Sequence, residues 1–129
     1  PGKYDADYVP LYWESKFKST FEAFSLTLVE EHQGYYLDWV SKLPNSLTLL
    51  PLGVYMGRGD IRVYLFDWNA VSPLYHKRFS IHKAYLEKLP YNQVTLKTGL
   101  FEAANIITKG DLDAIYGVDV HSEDFNAKR

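Results

Sequence analysis

The clearest hydrophobic pattern in the chain is a run of apolar side chains at helical spacing near its start. Steps of four, four, three and four residues place them on one face of a helix, and charged residues fall mostly on the other face. These residues are Trp13, Phe17, Phe21, Phe24 and Leu28. Gly34 follows where a left-handed cap would end the helix. The pattern predicts a helix over residues 13–32 whose aromatic face packs on a sheet.

The middle of the chain predicts a short helix followed by two strands. A short second helix is predicted over 36–43, and then an apolar stretch that Pro51 marks as an edge strand or a bulge. Residues 57–60 have the composition of a hairpin turn. Residues 61–68 form the best strand candidate, and both of its faces are largely apolar or aromatic. This strand is therefore predicted to be central in the sheet.

The second half of the chain mixes short strands with short helices. Strands are predicted over 74–80 and around Val94, and Gly110 and Gly117 are placed to end helices. The residues suited to start those helices are Ser80, Thr98 and Asp111. The termini, 1–11 and 121–129, are predicted to be irregular.

The order of these elements predicts the fold class. Helices come first, then strands, then helices mixed with strand, without the regular alternation of a doubly wound fold. We predict one α+β domain over residues 1–129, with an antiparallel sheet of about four strands packed against the long N-terminal helix. Short helices are expected at the C-terminal end.

Composition excludes several kinds of chemistry. The chain has no cysteine, which removes disulfides, thiolate metal sites and cysteine nucleophiles. Its net charge of −2 argues against a dedicated DNA-binding domain. No apolar run is long enough to cross a bilayer. No signal peptide and no Asn-x-Ser/Thr sequon is visible, so a cytoplasmic location is predicted.

Motifs of catalysis and cofactor binding are missing. No phosphate-binding glycine loop and no nucleophile elbow occurs, so no cofactor and no catalytic residue is predicted. Asp119, His121 and Glu123 alternate and would share one face of a strand, as metal ligands do. The segment lacks apolar anchors to fix such a site, so we interpret it as a solvated acidic tail and predict no metal.

Charge is distributed unevenly although the chain is nearly neutral. Residues 111–124 carry five acidic side chains and no Lys or Arg. Such a surface attracts basic proteins, as inhibitors of nucleases do. The predicted partner-binding residues are Asp111, Asp113, Asp119, Glu123, Asp124 and Tyr116.

Residues 76–97 show the opposite bias, with five basic side chains against one acidic. Aromatic rings lie between these basic residues, a combination that binds single-stranded nucleic acid by phosphate attraction and base stacking. The candidate patch consists of Lys77, Arg78, Lys83, Tyr85 and Lys88. A basic face that offsets the acidic segment explains the same pattern, and we favour that interpretation.

A third alternative is a small enzyme or ligand-binding domain with an aromatic-lined pocket. Its lining would come from the predicted central strand, with Asp67 or a histidine as the polar group. The candidate pocket residues are Tyr64, Phe66, Asp67 and Trp68. A closed cavity with a buried ionisable group would favour this alternative, whereas a filled core with aromatic residues on an outer face would favour a binding protein.

Residues 10–14, followed by Lys16, Phe17 and Lys18, resemble the opening helix of some bacterial contact-dependent growth-inhibition immunity proteins. The resemblance covers about a tenth of the chain and transfers no binding residues. It favours the first hypothesis, a non-catalytic protein-binding module of the inhibitor or immunity type. Its partner would be a basic protein, and neither nucleic acid nor a membrane is expected as a partner.

Overall fold

The fold is a mixed arrangement of eight strands and four helices over the part of the chain that the structure, a computed structural model, describes. That part comprises residues 11–13, 16–18, 23–57, 60–95 and 105–125. The strands are β1 (Leu11–Trp13), β2 (Lys16–Lys18), β3 (Ala23–Ser25), β4 (Leu47–Gly57), β5 (Asp60–Asp67), β6 (Ser80–His82), β7 (Asn92–Thr95) and β8 (Ile106–Ile107). The helices are α1 (Glu31–Val40), α2 (Trp68–His76), α3 (Lys83–Leu86) and α4 (Lys109–Tyr116), and a 3₁₀ turn spans Leu26–Leu28.

The main sheet is built on the β4–β5 hairpin. β7 continues this sheet antiparallel to the first half of β5, and β8 runs parallel to its second half. On the other side, β1 and β2 both pair with β4 in parallel, opposite 47–49 and 52–54. Pro51 falls between these two pairings and lies opposite Leu65 in the β4–β5 ladder, so it occupies a strand with neighbours on both sides rather than the edge strand or bulge that the sequence predicted. β3 and β6 form a separate antiparallel pair.

These observations confirm the α+β class, an antiparallel strand arrangement and a helix packed near the sheet. They do not confirm the helix predicted over 13–32, because the described residues between 13 and 28 form strands and a 3₁₀ turn. α1 begins only at Glu31 and overlaps the second helix, which was predicted over 36–43. Trp13 lies in β1, Phe17 in β2 and Phe24 in β3. Aromatic residues favour strands over helices, and β4 provides β1 and β2 with a partner strand that local spacing does not reveal.

The structure also changes one predicted helix end and one predicted strand. Gly34 was expected to end a helix, but it is buried inside α1. The strand predicted over 74–80 is the end of α2, a turn and the start of β6. Pro73 usually breaks a helix, yet α2 continues one turn beyond it to His76.

At the C-terminal end, Gly117 stops α4 in a left-handed conformation, with φ of 73°, as predicted. The helix begins earlier than expected, because the Thr108 side chain caps it and Gly110 lies inside it. The helix start predicted at Thr98 lies outside the described residues, as do residues 1–10 and 126–129. Of the two ends predicted to be irregular, Leu11 lies in β1, and 121–125 form turns in which Phe125 is buried. His82, rather than Ser80, caps the short α3.

The core receives side chains from both sheets and from all four helices. α2 contacts β4 and β5, and it also contacts α1 and α4. The largest fully buried side chains are Trp68, Tyr64, Phe24, Phe66 and Phe79. Among the described residues, no helix combines the length and the apolar character that crossing a bilayer requires.

Candidate functional site

The outer face of α1 carries the most exposed aromatic side chains in the described part of the chain. Tyr35 is 63% exposed, Tyr36 52% and Trp39 62%. The opposite face of α1 buries Leu37 and Val40. The rings of Tyr36 and Trp39 lie 6.2 Å apart. The solvent face of α1 therefore carries aromatic side chains in addition to the exposed Glu31 and His32 at its start. We call Tyr35, Tyr36 and Trp39 the aromatic face.

The inner side of α1 lies very close to α2. A Cβ atom added at Gly34 would lie only 2.4 Å from the Tyr75 ring, so the absence of a side chain lets that ring rest on the helix. The Tyr75 hydroxyl donates a hydrogen bond to the Glu30 carbonyl at 3.2 Å. The Tyr75 ring also packs against Trp68, with centroids 5.4 Å apart.

One carboxylate of α1 accepts hydrogen bonds from three side chains of α2. Asp38 Oδ1 accepts from Trp68 Nε1 at 2.7 Å and from Ser72 Oγ at 2.8 Å. Asp38 Oδ2 lies 2.7 Å from His76 Nε2. Trp68, Ser72 and His76 are spaced four residues apart, so they lie on one face of α2. No sequence pattern predicted this site, which we call the Asp38 cluster.

The electrostatics of the Asp38 cluster favour an ionised carboxylate. Burial opposes ionisation of Asp38, but the hydrogen bonds from Ser72, Trp68 and His76 outweigh it, and the pKa of Asp38 lies below its usual value. The hydrogen bond at Nε2 orients the His76 imidazole. Its Nδ1 atom makes no hydrogen bond with any described residue.

A groove of about 340 Å³ opens beside this cluster, between the start of α1 and the end of α2. The residues that line it are Thr27, Val29, Glu30, Glu31, Tyr35, Tyr75, His76 and Arg78. Burial raises the pKa of Tyr75, and the carboxylates of Glu31 and Asp38 raise it further. The groove therefore joins the aromatic face to the Asp38 cluster, and we call it the α1–α2 groove.

The predicted acidic partner-binding residues lie together at the C-terminal end, where several of them make local bonds. Asp111 accepts hydrogen bonds from Thr108 at the start of α4. Asp113 Oδ1 accepts the backbone N–H of Val120 at 2.9 Å, and Asp119 accepts that of His121 at 2.9 Å.

Lys109 pairs with two of these carboxylates and offsets one of their two negative charges. Its Nζ lies 2.6 Å from Asp113 Oδ2 and 2.9 Å from Asp119 Oδ1. These hydrogen bonds hold the pKa of both carboxyls below the usual value and raise the pKa of Lys109. Lys109 lies just outside the segment whose charges were counted, so the surface is less acidic than residues 111–124 suggested.

The other predicted acidic residues and the tyrosine differ in their surroundings. Glu123 is exposed, and Asp124 accepts a hydrogen bond from the Ser122 hydroxyl at 2.6 Å. The Tyr116 ring stacks on Tyr85 with centroids 4.4 Å apart, and it also contacts Phe125. Part of this segment is thus engaged in packing the end of the chain.

The residues predicted to line a pocket occupy the core instead. Tyr64 and Phe66 are buried in β5, where they pack on Tyr91 and Phe24. Trp68 is buried and binds Asp38 through its indole. Asp67 accepts the backbone N–H of Asn69 and so caps α2.

The residues of the predicted nucleic-acid patch do not form one uniform surface. Lys77 donates to the backbone carbonyl of Ser122 at 2.6 Å, which attaches the C-terminal segment to the end of α2. Lys83 and Lys88 are exposed around α3. Arg78, also exposed, lines the α1–α2 groove and has a positive φ of 58°.

A second, more apolar groove of about 570 Å³ lies near this patch. Its lining includes Phe79, Tyr85, Tyr116 and Phe125. Its lining also includes Ala23 and Phe125, and each of these lies at the end of a described range of the chain. We therefore assign no occupant to it.

Among the described residues, no group of three or more His, Asp or Glu side chains is arranged to hold a metal ion. Comparison of the chain with protein-family models, with curated proteins and with solved structures finds no significant match. Functional assignment therefore rests on the geometry of this molecule.

Helical spacing in the sequence does indicate part of the aromatic face and part of the Asp38 cluster. Tyr35 and Trp39 are four residues apart, and Trp68, Ser72 and His76 repeat that spacing. Helical spacing shows which side chains share a face, but not which face is covered by another helix. The pairing of Asp38 with α2 spans between 30 and 38 residues of sequence, which no local pattern indicates.

Proposed function

We propose that this chain is a non-catalytic protein-binding module, of the inhibitor or immunity type, that binds a basic protein through the aromatic face of α1. The observation that supports it is the exposure of Tyr35, Tyr36 and Trp39 on one helix, above a filled core. Tyr and Trp are enriched at the centres of protein interfaces, where their rings lose contact with water.

The gain from covering this face is large enough to matter for affinity. A Tyr or Trp side chain buries roughly 150–250 Å² when enclosed, so three rings that are about half exposed offer roughly 300 Å². At about 25 cal/mol per Å², their burial contributes about 7 kcal/mol before the costs of association. A standard interface covers about 800 Å² per partner, so neighbouring surface must also take part.

The proposed partner is basic because acidic residues border the aromatic face. Glu30 and Glu31 are exposed at the start of α1. The acidic C-terminal segment contributes further negative charge, although Lys109 neutralises part of it. Such charges increase the association rate with a basic surface and make it sensitive to salt. The prediction of a cytoplasmic location belongs to this proposal and rests on the sequence alone.

The test compares a variant of the aromatic face with a matched control. The full chain, a Tyr35→Ser/Trp39→Ser variant and a Lys83→Ala/Lys88→Ala control are immobilised and exposed to extract from the source cells. All four substituted residues are exposed, so we expect both variants to fold. We expect a protein that the full chain and the control retain, that the aromatic-face variant does not retain, and that free full chain displaces.

Two outcomes would count against the proposal. One is a set of retained proteins that is the same for the full chain and the aromatic-face variant. The other is retained material that nuclease removes and that the Lys83/Lys88 variant fails to bind, which would favour the nucleic-acid alternative. The acidic segment is tested in parallel with Asp119→Asn/Glu123→Gln, which should reduce the salt dependence of binding.

The alternative, a small enzyme or ligand-binding domain, is favoured by one observation. His76 is oriented by Asp38 at the edge of an open groove, an arrangement that suits a general base. The test is hydrolysis of p-nitrophenyl acetate and bis(p-nitrophenyl) phosphate by the chain and by His76→Gln, with the exposed His32→Gln as control. Activity that only His76→Gln removes would support an enzyme, and equal background rates would exclude these two ester classes.

A further inference from the structure

The α1–α2 groove is negatively charged at its α1 side. Glu30 and Glu31 line it, and the ionised Asp38 lies behind His76. Arg78 is the opposing charge among the described lining residues. Within the described part of the chain, neither Glu31 nor Arg78 forms an ion pair. The carboxylates therefore outnumber the cation, and Glu31 is available to an incoming group.

The charges that act on Tyr75 inside the groove are the same carboxylates and the same guanidinium. Tyr75 lies between the two sides, and the effects of Glu31 and Asp38 on its pKa add to that of burial, while Arg78 acts in the opposite direction. Burial is the largest cause of the raised pKa of Tyr75, and the smaller charge effects show that the carboxylates of Glu31 and Asp38 and the guanidinium of Arg78 all act on this ring.

Two tyrosine rings border the same space. Tyr35 is largely exposed, and Tyr75 is held in place by its bonds to α1. The face of a tyrosine ring attracts a guanidinium group, and the attraction strengthens where water is excluded. The chain already contains such a contact, because the guanidinium of Arg62 lies 4.3 Å from the centre of the Tyr91 ring.

We propose that the α1–α2 groove binds an arginine side chain of the protein partner, with the guanidinium between the tyrosine rings and the carboxylates of Glu30 and Glu31. This inference rests on the proposed protein-binding function. Tyr35 belongs both to the groove and to the aromatic face, so apolar residues beside that arginine would contact Tyr36 and Trp39. The groove thus specifies a basic residue within an otherwise apolar contact patch.

The test uses a defined peptide rather than the unidentified partner. Acetyl-Leu-Arg-Leu-amide is titrated into ¹⁵N-labelled full chain, and the same peptide with citrulline in place of arginine is the neutral control. We expect the arginine peptide to shift amide signals of residues 30–35 and 75–78 in a saturable manner. The citrulline peptide should bind at least about tenfold more weakly, because it retains the shape but loses the charge.

Variants identify the groups involved. Glu30→Gln/Glu31→Gln should weaken binding of the arginine peptide about tenfold. Glu87→Gln, at an exposed acidic residue directly after α3, should leave it unchanged. Arg78→Gln should not weaken it. Equal binding of the two peptides would overturn the inference. So would inorganic phosphate producing these shifts when the arginine peptide does not, since that would indicate an anion site at Arg78 and His76.

This failure differs from failure of the proposed function. If the aromatic-face variant loses its protein partner but the arginine peptide does not bind, the binding module stands and the arginine site does not. If the arginine peptide binds but the partner is retained equally by the aromatic-face variant, the arginine site stands and the proposed function fails.

Discussion

Replacing Asp38 by alanine tests whether one carboxylate holds α1 against α2. The carboxylate accepts hydrogen bonds from Trp68 and Ser72, at 2.7 and 2.8 Å, and lies 2.7 Å from the His76 ring nitrogen. Trp68 is fully buried, so alanine leaves its indole N–H without an acceptor. The contacts of Ser72 and His76 are lost at the same time, although these side chains reach water.

The expected cost follows from these contacts. An unsatisfied buried donor costs about 1–3 kcal/mol, and each hydrogen bond to a charged group contributes about 1.5–3 kcal/mol. The two contacts that reach water count for less, and removing a partly buried carboxylate recovers some desolvation energy. We therefore expect Asp38→Ala to lower the free energy of unfolding by about 3 kcal/mol. With a urea m value near 2 kcal/mol/M, the midpoint falls by about 1.5 M.

The measurement is urea unfolding followed by far-ultraviolet circular dichroism, because Trp68 fluorescence would respond to the substitution itself. Asp67→Asn is the matched control. Asp67 also lies at the start of α2, where its side chain bonds the Asn69 N–H and no other described residue, and asparagine caps a helix equally well. The control should stay within about 0.5 kcal/mol of the parent. A midpoint shift below about 0.3 M for Asp38→Ala would refute the reasoning.

The pH dependence of the free energy of unfolding tests separately whether the negative charge of Asp38 stabilises the fold. The folded-state pKa of Asp38 is below its usual value, so its ionised form stabilises the fold above the unfolded pKa, near about 4. That contribution is lost as pH falls through the folded pKa. Asp38→Asn should therefore be less stable than the parent at neutral pH, and the difference should shrink in acid. A difference that is independent of pH would show that the charge is not involved.

Three other substitutions have defined outcomes in thermal unfolding. Gly34→Ala should fail to raise Tm despite a helix-propensity gain of about 1 kcal/mol, because the new methyl group displaces the Tyr75 ring; a higher Tm would show that the ring moves at no cost. Gly117→Ala should cost about 1 kcal/mol through its positive φ alone, and Gly117→Asn less. Asn92→Ala should cost about 2 kcal/mol, since this buried side chain bonds the backbone N–H and carbonyl of Asn105; a loss below about 0.5 kcal/mol would contradict that role.

Features specified by a few neighbouring residues were predictable from the sequence. The β4–β5 hairpin follows from its turn composition and from the alternation of 61–68. The stop of α4 at Gly117 follows from the conformation that only glycine adopts easily. In each case the determining interactions lie within the segment itself, so no knowledge of tertiary contacts is needed.

Features decided by distant partners were not predictable in the same way. Phe17 and Phe24 fit one helical face, yet β2 and β3 gain hydrogen bonds from β4 and β6, whose paired residues lie 36 and 55–59 residues further along the chain. Asp113 and Asp119 were interpreted as binding charges, but Lys109 and the backbone at Val120 satisfy them within the fold. Local charge counts cannot distinguish these two uses of a carboxylate.

The inner and outer faces of α1 are linked by the geometry of the helix. Asp38 and Gly34 fix the rotation of α1 against α2, the first by three side-chain contacts and the second by the close approach of Tyr75. Tyr35 and Trp39 each follow one of these positions by a single residue, so that rotation also sets where their rings point. A rigidly presented aromatic pair loses less conformational entropy on binding than a mobile one. We therefore expect Asp38→Asn, which keeps the shape but weakens the attachment, to bind the partner more weakly although it changes no residue of the aromatic face. Equal affinity of this variant would show that α1 presents its rings without help from the Asp38 cluster.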